Sequence, residues 1–473
     1  MTVTEQNNAV DCPDYLVIGT GVTGLALALE LARQGAAVTL IESGEATGGN
    51  VHSVREQGWQ MELGPNTLMV KPPLYQLIES LGLVDKAIFP PSASKKRYVV
   101  HDGRPVALPG GALSALTHPL LGFRAWGHLL AEPFRRPASD EETLAAFVRR
   151  RLGPRVLDHF VDPFVSGIYA GDPWRLSAAA AMPKLHRLEQ GHGSLLRGGI
   201  AQTRTARARR RQERADGFPD GWRGQLISFP EGLSTLTQAM TDEFVQYPKT
   251  RLATGHRVAS VQRDKRRWRT FDTHGQSFTG QELILTTPAH VSARLMESVD
   301  TGLQAALDDI VYPALAAVAL GYPRDAISHP LDGFGMLIPS REERHTLGAL
   351  FSSTLFPGRA PEGCALMTCF IGGRRNPAIM AQPDQGLIDT IHAELSDILG
   401  IQATPVFSQV KRWTHAIPQY EIGHLDRIAA IDEQAAGHQG LHLMGNWRDG
   451  ISVGDCIDNG HAMARQLLAN RAA

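Results

Sequence analysis

The stretch YLVIGTGVTGLALALELARQGAAVTLIES, residues 15–43, leaves this chain few folds to choose from. A short β-branched apolar run stops at Gly19, an apolar helical stretch ends at Gly35, and a second apolar run ends at Glu42. That alternation predicts strand, helix and strand, joined as a βαβ unit in a buried parallel sheet. Gly19, Gly21 and Gly24 occupy G-x-G-x-x-G positions. They allow a tight turn, a close backbone approach to a pyrophosphate and close packing of helix on strand, with the helix N-terminus facing the phosphates. Glu42 follows about 20 residues on, where an acid accepts from a ribose 2′-OH, which disfavours a 2′-phosphorylated cofactor. The unit therefore predicts dinucleotide binding, without separating FAD from NAD.

Composition narrows the setting. With 473 residues, 43% of them hydrophobic, the chain can bury two or three domain cores. Its 47 Lys+Arg against 48 Asp+Glu give a net charge of −1, so no global field draws nucleic acid, and none is expected as a partner. Cys12, Cys364, Cys369 and Cys456 make no CxxC pair, and no metal site is expected. The first residues, MTVTEQNNAVDCPD, lack the pattern of a secretory leader, and no uninterrupted apolar run of about 18 residues occurs. A cytoplasmic location follows as the expectation. SDEETLAAFVRRRLG predicts a helix begun by a Ser139–Glu142 capping box. The basic segment TRTARARRRQERADGFPDG reads as a solvated loop. In HPLLGFRAWGHLLAEPFRR, apolar residues from Leu120 to Phe134 beside Arg135 and Arg136 suit either an interfacial helix or a core helix.

A Gly48–Gly49 pair just past the acid, then ELGPN with Gly64 and Asn66, resembles the flavin-dependent amine oxidase superfamily. Four more segments narrow the resemblance: PFVSGIYAGDPWRLS, LGALFSSTLFPGRAPEGCALMTCFIGG, WTHAIPQYEIGHLDR and GNWRDGISVGDCIDNGH. Together they resemble the oxygen-dependent protoporphyrinogen oxidase family, over about residues 14–470. The resemblance implies an α/β chain: a Rossmann-like FAD-binding domain with a mixed-sheet substrate domain and a mainly helical insertion. The FAD domain is then split into 1–90, 226–305 and 411–473, with the helical, membrane-associating insertion at 91–225 and the substrate domain at 306–410. Two departures stand out. Ala46 replaces the arginine usual two residues before the glycine pair, and Trp447 stands where tyrosine is more usual.

By that resemblance FAD is bound non-covalently by Gly19, Gly21, Gly24, Glu42, Gly48, Gly49, Gly64, Val258, Trp413, Gly445, Ile451, Ser452 and Val453. The last of these belong to a turn and helix start whose N–H groups face the flavin. The implied reaction is oxidation of protoporphyrinogen IX, with O2 as acceptor. Arg97 pairs with a substrate propionate, Phe356 and Leu337 sandwich pyrrole rings, and Asn66 lies near flavin and substrate. Gly167, Ala170 and Gly171 leave room for the macrocycle. No side chain is assigned as a base, the flavin N5 being the hydride acceptor. The alternatives are coproporphyrinogen III oxidation, an amine oxidase or carotenoid desaturase, and a non-catalytic flavoprotein carrying tetrapyrroles. Peripheral contact with the inner face of the cell membrane and hand-over to a downstream chelatase belong to the same picture, and monomer and homodimer both remain open.

Overall fold

The computed structural model describes residues 13–111, 114 and 118–472. Cys12 and most of the N-terminal segment read above lie outside them, as do the side chains of Phe123, Arg204 and Arg207.

Tyr15–Ile18 sits third in a five-stranded parallel sheet, flanked by Val38–Ile41 and Glu282–Leu285, with Thr250–Ala253 and Leu441–Leu443 at the edges. All four of its residues are buried because both faces are covered. Tyr15 and Val17 pack with the first helix (Val22–Arg33) and the last helix (Val453–Ala472), while Leu16 and Ile18 join a second core under the helices Ala289–Met296 and Thr301–Asp308. A strand buried on both faces reads as continuously apolar, as this one does. A three-stranded antiparallel sheet (258–280) closes the second core with Trp268 fully buried.

The second body is a seven-stranded mixed sheet in the order Phe407–Trp413, Leu315–Pro323, Cys364–Gly372, Thr346–Leu350, Gly333–Leu337, Lys96–His101, Arg104–Ala107. One of its faces packs on the helix Asp384–Leu399 through Leu387, Ile391 and Leu395. The architecture therefore corrects the reading of the middle region. Residues 96–107, expected in the helical insertion, are two strands of this sheet, and Phe407–Trp413 carries the sheet past residue 410. The β-prone run Tyr98–Val100 in KRYVVH was the available signal, buried throughout while Lys96 and Arg97 stay exposed.

The insertion proper is helical from Gly122 to Ala215, and three local readings change there. The helix Leu144–Arg151 is capped by Thr143, whose Oγ1 accepts from Ala146 N at 3.2 Å, not by Ser139. The basic segment is no loop: it continues a 21-residue helix, Leu195–Ala215, started by a Ser194 cap. Alanine, arginine, glutamine and glutamate are good helix formers, and i to i+4 Arg209–Glu213 adds a pair at 3.8 Å. Finally, Leu120 and Leu121 are buried, whereas Leu130 and Phe134 are 73% and 83% exposed, so this segment is core at its start and surface at its end. Arg151, fully buried between Glu132 (3.2 Å) and Glu189, ties these helices together. No described helix is long and apolar enough to cross a membrane.

Two buried imidazoles give the fold a pH signature. Burial pushes His159 and His424 down from the ordinary 6.5 to about 4, so both are neutral in the folded protein at neutral pH. A lowered folded-state pKa means stability that is complete above the unfolded value and lost as pH falls through the folded one. Thermal stability is accordingly expected to fall between pH about 6.5 and about 4, and unfolding temperatures measured across that range check it. A flat profile there contradicts the assignment of neutral buried rings.

Candidate active site

The glycine positions of the first loop show why glycine is needed. A Cβ on Gly24 would stand 2.0 Å from the Gly19 carbonyl oxygen, and Gly19 itself has φ +105°. The second glycine turn folds against the first: Gly48 N donates to Thr20 O at 2.9 Å, and a Cβ on Gly49 would lie 3.0 Å from Gly21 Cα. Gly21 caps the first helix with no side-chain cap, and no atom lies within 4 Å of its Cβ position. The helix N-terminus thus lies between two close backbone turns with room beside Gly21, an arrangement that suits a pyrophosphate. Ala46, exposed beside this turn, adds no charge, so an anion here would be met by backbone donors and the helix dipole alone.

Glu42 follows its strand directly. One carboxylate oxygen accepts from Thr20 N (3.0 Å) and Thr20 Oγ1 (2.5 Å), the other from Ser43 Oγ (3.0 Å) and Gly44 N (2.9 Å). It is half-buried and aligned by both loops, and each oxygen can accept again from a ribose hydroxyl. Val258 lies close by, since His256 N donates to Glu42 O at 2.8 Å.

At the other end of the cofactor cleft, a Cβ on Gly64 would meet Asn50 O at 1.9 Å, and Trp413 Nε1 donates to Leu63 O at 2.9 Å. These contacts join the second glycine turn, Gly64 and Trp413 into one unit. Gly445 lies beside the end of the parallel sheet, near Thr287 O, and Trp447 is fully buried with its Nε1 donating to the same carbonyl at 3.2 Å. Ile451 and Ser452 precede the last helix, which starts at Val453. Ser452 Oγ accepts from Asp455 N (3.1 Å) and donates to the Asp455 carboxylate, while Lys71 neutralises that carboxylate at 2.5 Å. The helix end thus carries its own anion, held off to one side by a lysine.

Of the residues expected to hold substrate, Arg97 and Leu337 fall on the second face of the seven-stranded sheet, with Gly167 against Leu337. Leu337 pairs with Val99, two residues from Arg97, so both side chains share that face. A Cβ on Gly167 would lie 2.4 Å from Leu337 Cδ2, hence a larger residue there displaces Leu337. Ala170 has φ +47° and packs with Leu315, Phe370, Ala416 and Trp413, and Gly171 abuts Gln419 Oε1. Asn66 and Phe356 line one small cavity, and Phe356 is only 3% exposed. Arg97 is exposed, its guanidinium 5.2 Å from the Phe334 ring centroid, and no carboxylate pairs with it among the described residues. Sequence reasoning missed Leu350, Phe370 and Leu347, which are half-buried. Leu350 faces the same way as Leu337, since Met336 and Ala349, opposite one another, both enter the other core.

The flavin containing amine oxidoreductase family matches residues 22–468. Protoporphyrinogen oxidase 2, chloroplastic/mitochondrial, of Arabidopsis thaliana is 32% identical, over 98% of this chain and 95% of its own. The coproporphyrinogen III oxidase of Bacillus subtilis (strain 168) is 27% identical, over 96% and 97%. A crystal structure from Exiguobacterium sp. 255-15 superposes with a TM-score of 0.79 at 23% identity, covering 96% of this chain and 98% of that one. Fold and site thus define an FAD-dependent oxidoreductase. The chain belongs to the flavin containing amine oxidoreductase family, and its curated relatives there include protoporphyrinogen oxidases.

Replacing Glu42 with Gln removes one charge from a loop it organises through four hydrogen bonds. FAD titration of the apoprotein is expected to show affinity weakened by about 1–3 kcal/mol. Unchanged affinity removes Glu42 from the cofactor site.

Proposed function

We propose that this chain oxidises a porphyrinogen to the porphyrin, with protoporphyrinogen IX preferred, O2 as acceptor and H2O2 as co-product. The observation that carries the reading is the apolar wall of Leu337, Leu350, Phe370 and Trp413, edged by an arginine with no carboxylate partner among the described residues. A neutral macrocycle with carboxylates on its rim matches such a wall. The Arabidopsis relative's name points the same way.

The residues divide the work. Gly19, Gly21, Gly24, Gly48 and Gly49 cradle the pyrophosphate, Glu42 accepts from the ribose, and Trp413 and residues 445–453 border the ring. FAD, when bound, supplies the acceptor of a hydride equivalent, three times over for the six electrons removed. Arg97 holds one propionate by charge-assisted hydrogen bonds. Leu337, kept in place by the absent side chain of Gly167, orients the ring so that a meso carbon faces the cofactor, with the buried Phe356 supporting the wall from behind.

Coproporphyrinogen III, with four carboxylates rather than two, is the second reading, favoured by the Bacillus relative's name. Of the cations beside Arg97, Lys96 is tied to Asp332, which leaves the exposed Lys95 to meet a further carboxylate. Arg97→Ala should raise KM and lower kcat/KM for protoporphyrinogen by about one to two decades, from about 1.5–3 kcal/mol, with FAD content intact. Porphyrin fluorescence measured with both porphyrinogens decides the matter. Faster turnover of coproporphyrinogen reverses the substrate preference, and turnover of neither defeats the reading.

Peripheral membrane contact belongs to this proposal. The short turn Glu132–Phe134 is fastened to the start of the basic helix, because the buried Glu132 carboxylate accepts from Ser194 Oγ (2.6 Å), Leu195 N (2.8 Å) and Leu196 N (3.2 Å). That joint brings Leu130 and Phe134 toward Leu196 and Ile200, which are 45% and 60% exposed, with Arg136 and Arg197 exposed beside them. Arg135 turns inward to Arg150 O and His128 instead. Such an apolar patch with basic flanks suits an anionic lipid surface. Co-flotation with anionic vesicles, weakened by salt, is expected, and Phe134→Ser with Ile200→Ser should abolish it. No flotation at low salt contradicts the contact.

A further inference from the structure

Glu62 and Arg359 are a buried ion pair for which the reading above has no use. Glu62 ends the strand Trp59–Glu62, and Arg359 lies three residues past Phe356. Their side chains are each 4% exposed and meet at 3.2 Å. Glu62 also accepts from Ser53 Oγ (2.5 Å) and Leu233 N (3.0 Å). Arg359 donates to Ser228 Oγ (2.7 Å), its own carbonyl accepts from Gln60 N (2.9 Å), and its guanidinium carbon lies 5.7 Å from the centroid of the Phe356 ring. The pair therefore ties the loop that carries Phe356 to two segments of the flavin domain.

Such a pair adds little stability, because desolvating two charges offsets most of their attraction. Burial pushes the Glu62 carboxyl up and the Arg359 guanidinium down, the direction in which desolvation outweighs pairing on both sides. Its local effect is geometric. Gln60, Glu62, Asn66, Ser352, Phe356 and Arg359 close around a cavity of about 10 Å³, enough for about one water. Gln60 Nε2 and Arg359 Nη1, both buried, have no protein partner among the described residues, so two unpartnered donors sit in a lining to which Met61, Leu355 and Phe356 lend apolar surface.

We propose that Arg359, locked by Glu62, is a positioning residue that sets the plane of Phe356 and the placement of Asn66 against the substrate. This rests on the porphyrinogen reading. The planar guanidinium backs the phenyl ring while its Nη2 meets both Glu62 and Ser228, so the ring cannot tilt without disturbing a buried contact. Phe356 is 3% exposed, so its ring acts from behind the substrate wall, and a fixed inclination there keeps the wall, and the meso carbon against it, in place.

Two variants separate this from a merely structural role. Arg359→Lys keeps a charge opposite Glu62 but loses the planar fork. Glu62→Met with Arg359→Met removes both charges, leaving no unpaired ion to unfold the protein. In both, unfolding temperature and FAD content should stay near wild type, while kcat falls about tenfold or more and KM moves less. Wild-type kcat in either folded variant overturns the proposal, as does failure of the Lys variant to fold, which makes the pair structural glue. Wild-type protein assayed alongside keeps the two claims apart: its failure to turn over either porphyrinogen defeats the functional reading and this inference with it, whereas its turnover matched by the variants defeats the positioning alone.

Discussion

The approach of the first helix to the last is the contact on which the rest of the cofactor domain depends. A Cβ on Gly460 would stand 2.7 Å from Thr23 O and 3.0 Å from Ala26 Cβ, so the two helices touch almost backbone to backbone. Ile457, Ala464 and Leu467 of one pack with Leu25, Ala26 and Leu29 of the other over Tyr15 and Val17. Segments more than four hundred residues apart thereby share one layer of the core. The start of the last helix is brought beside the strand Leu68–Met69, and its turn can border a flavin whose pyrophosphate lies at the first helix. Tyr420 fixes that turn from outside, accepting from Gly450 N at 3.0 Å and donating to Asn446 O.

The second body owes its chemistry to an asymmetry of its sheet. One face is sealed by the helix Asp384–Leu399, and the other keeps Leu337, Leu350, Phe370 and Trp413 half-buried. Apolar side chains left partly open along one sheet face are what the proposed porphyrinogen reading takes as its ligand wall. Lys96–His101 joins this sheet by a parallel pairing, although about two hundred residues of chain separate it from its partner strand. That crossover carries Arg97 to the rim of the wall.

How much of this was legible depended on the range of the forces involved. The βαβ unit, the glycine turns and Glu42 could be read because each is a local requirement: a left-handed φ, a close approach within a few residues, a continuous apolar strand. The basic helix was misread because charge was weighed above helix propensity, although a Ser194 cap and a run of good helix formers were present. Leu350 and Phe370 were passed over because each looks like ordinary core until the register shows which face it occupies. Glu62 and Arg359 gave no local signal, being 297 positions apart along the chain.

By itself, the sequence determined the dinucleotide-binding unit, the flavin family and the glycine turns that the fold brings together. Those features are written in spacing and in side-chain volume, which short stretches of chain express directly. Only the tertiary structure decided that residues 96–107 belong to the substrate-side sheet, which of the apolar residues from Leu120 to Phe134 face out, and that Arg359 backs Phe356. Each of these depends on strand register and on which faces become covered, and both are settled by packing between segments far apart in the chain.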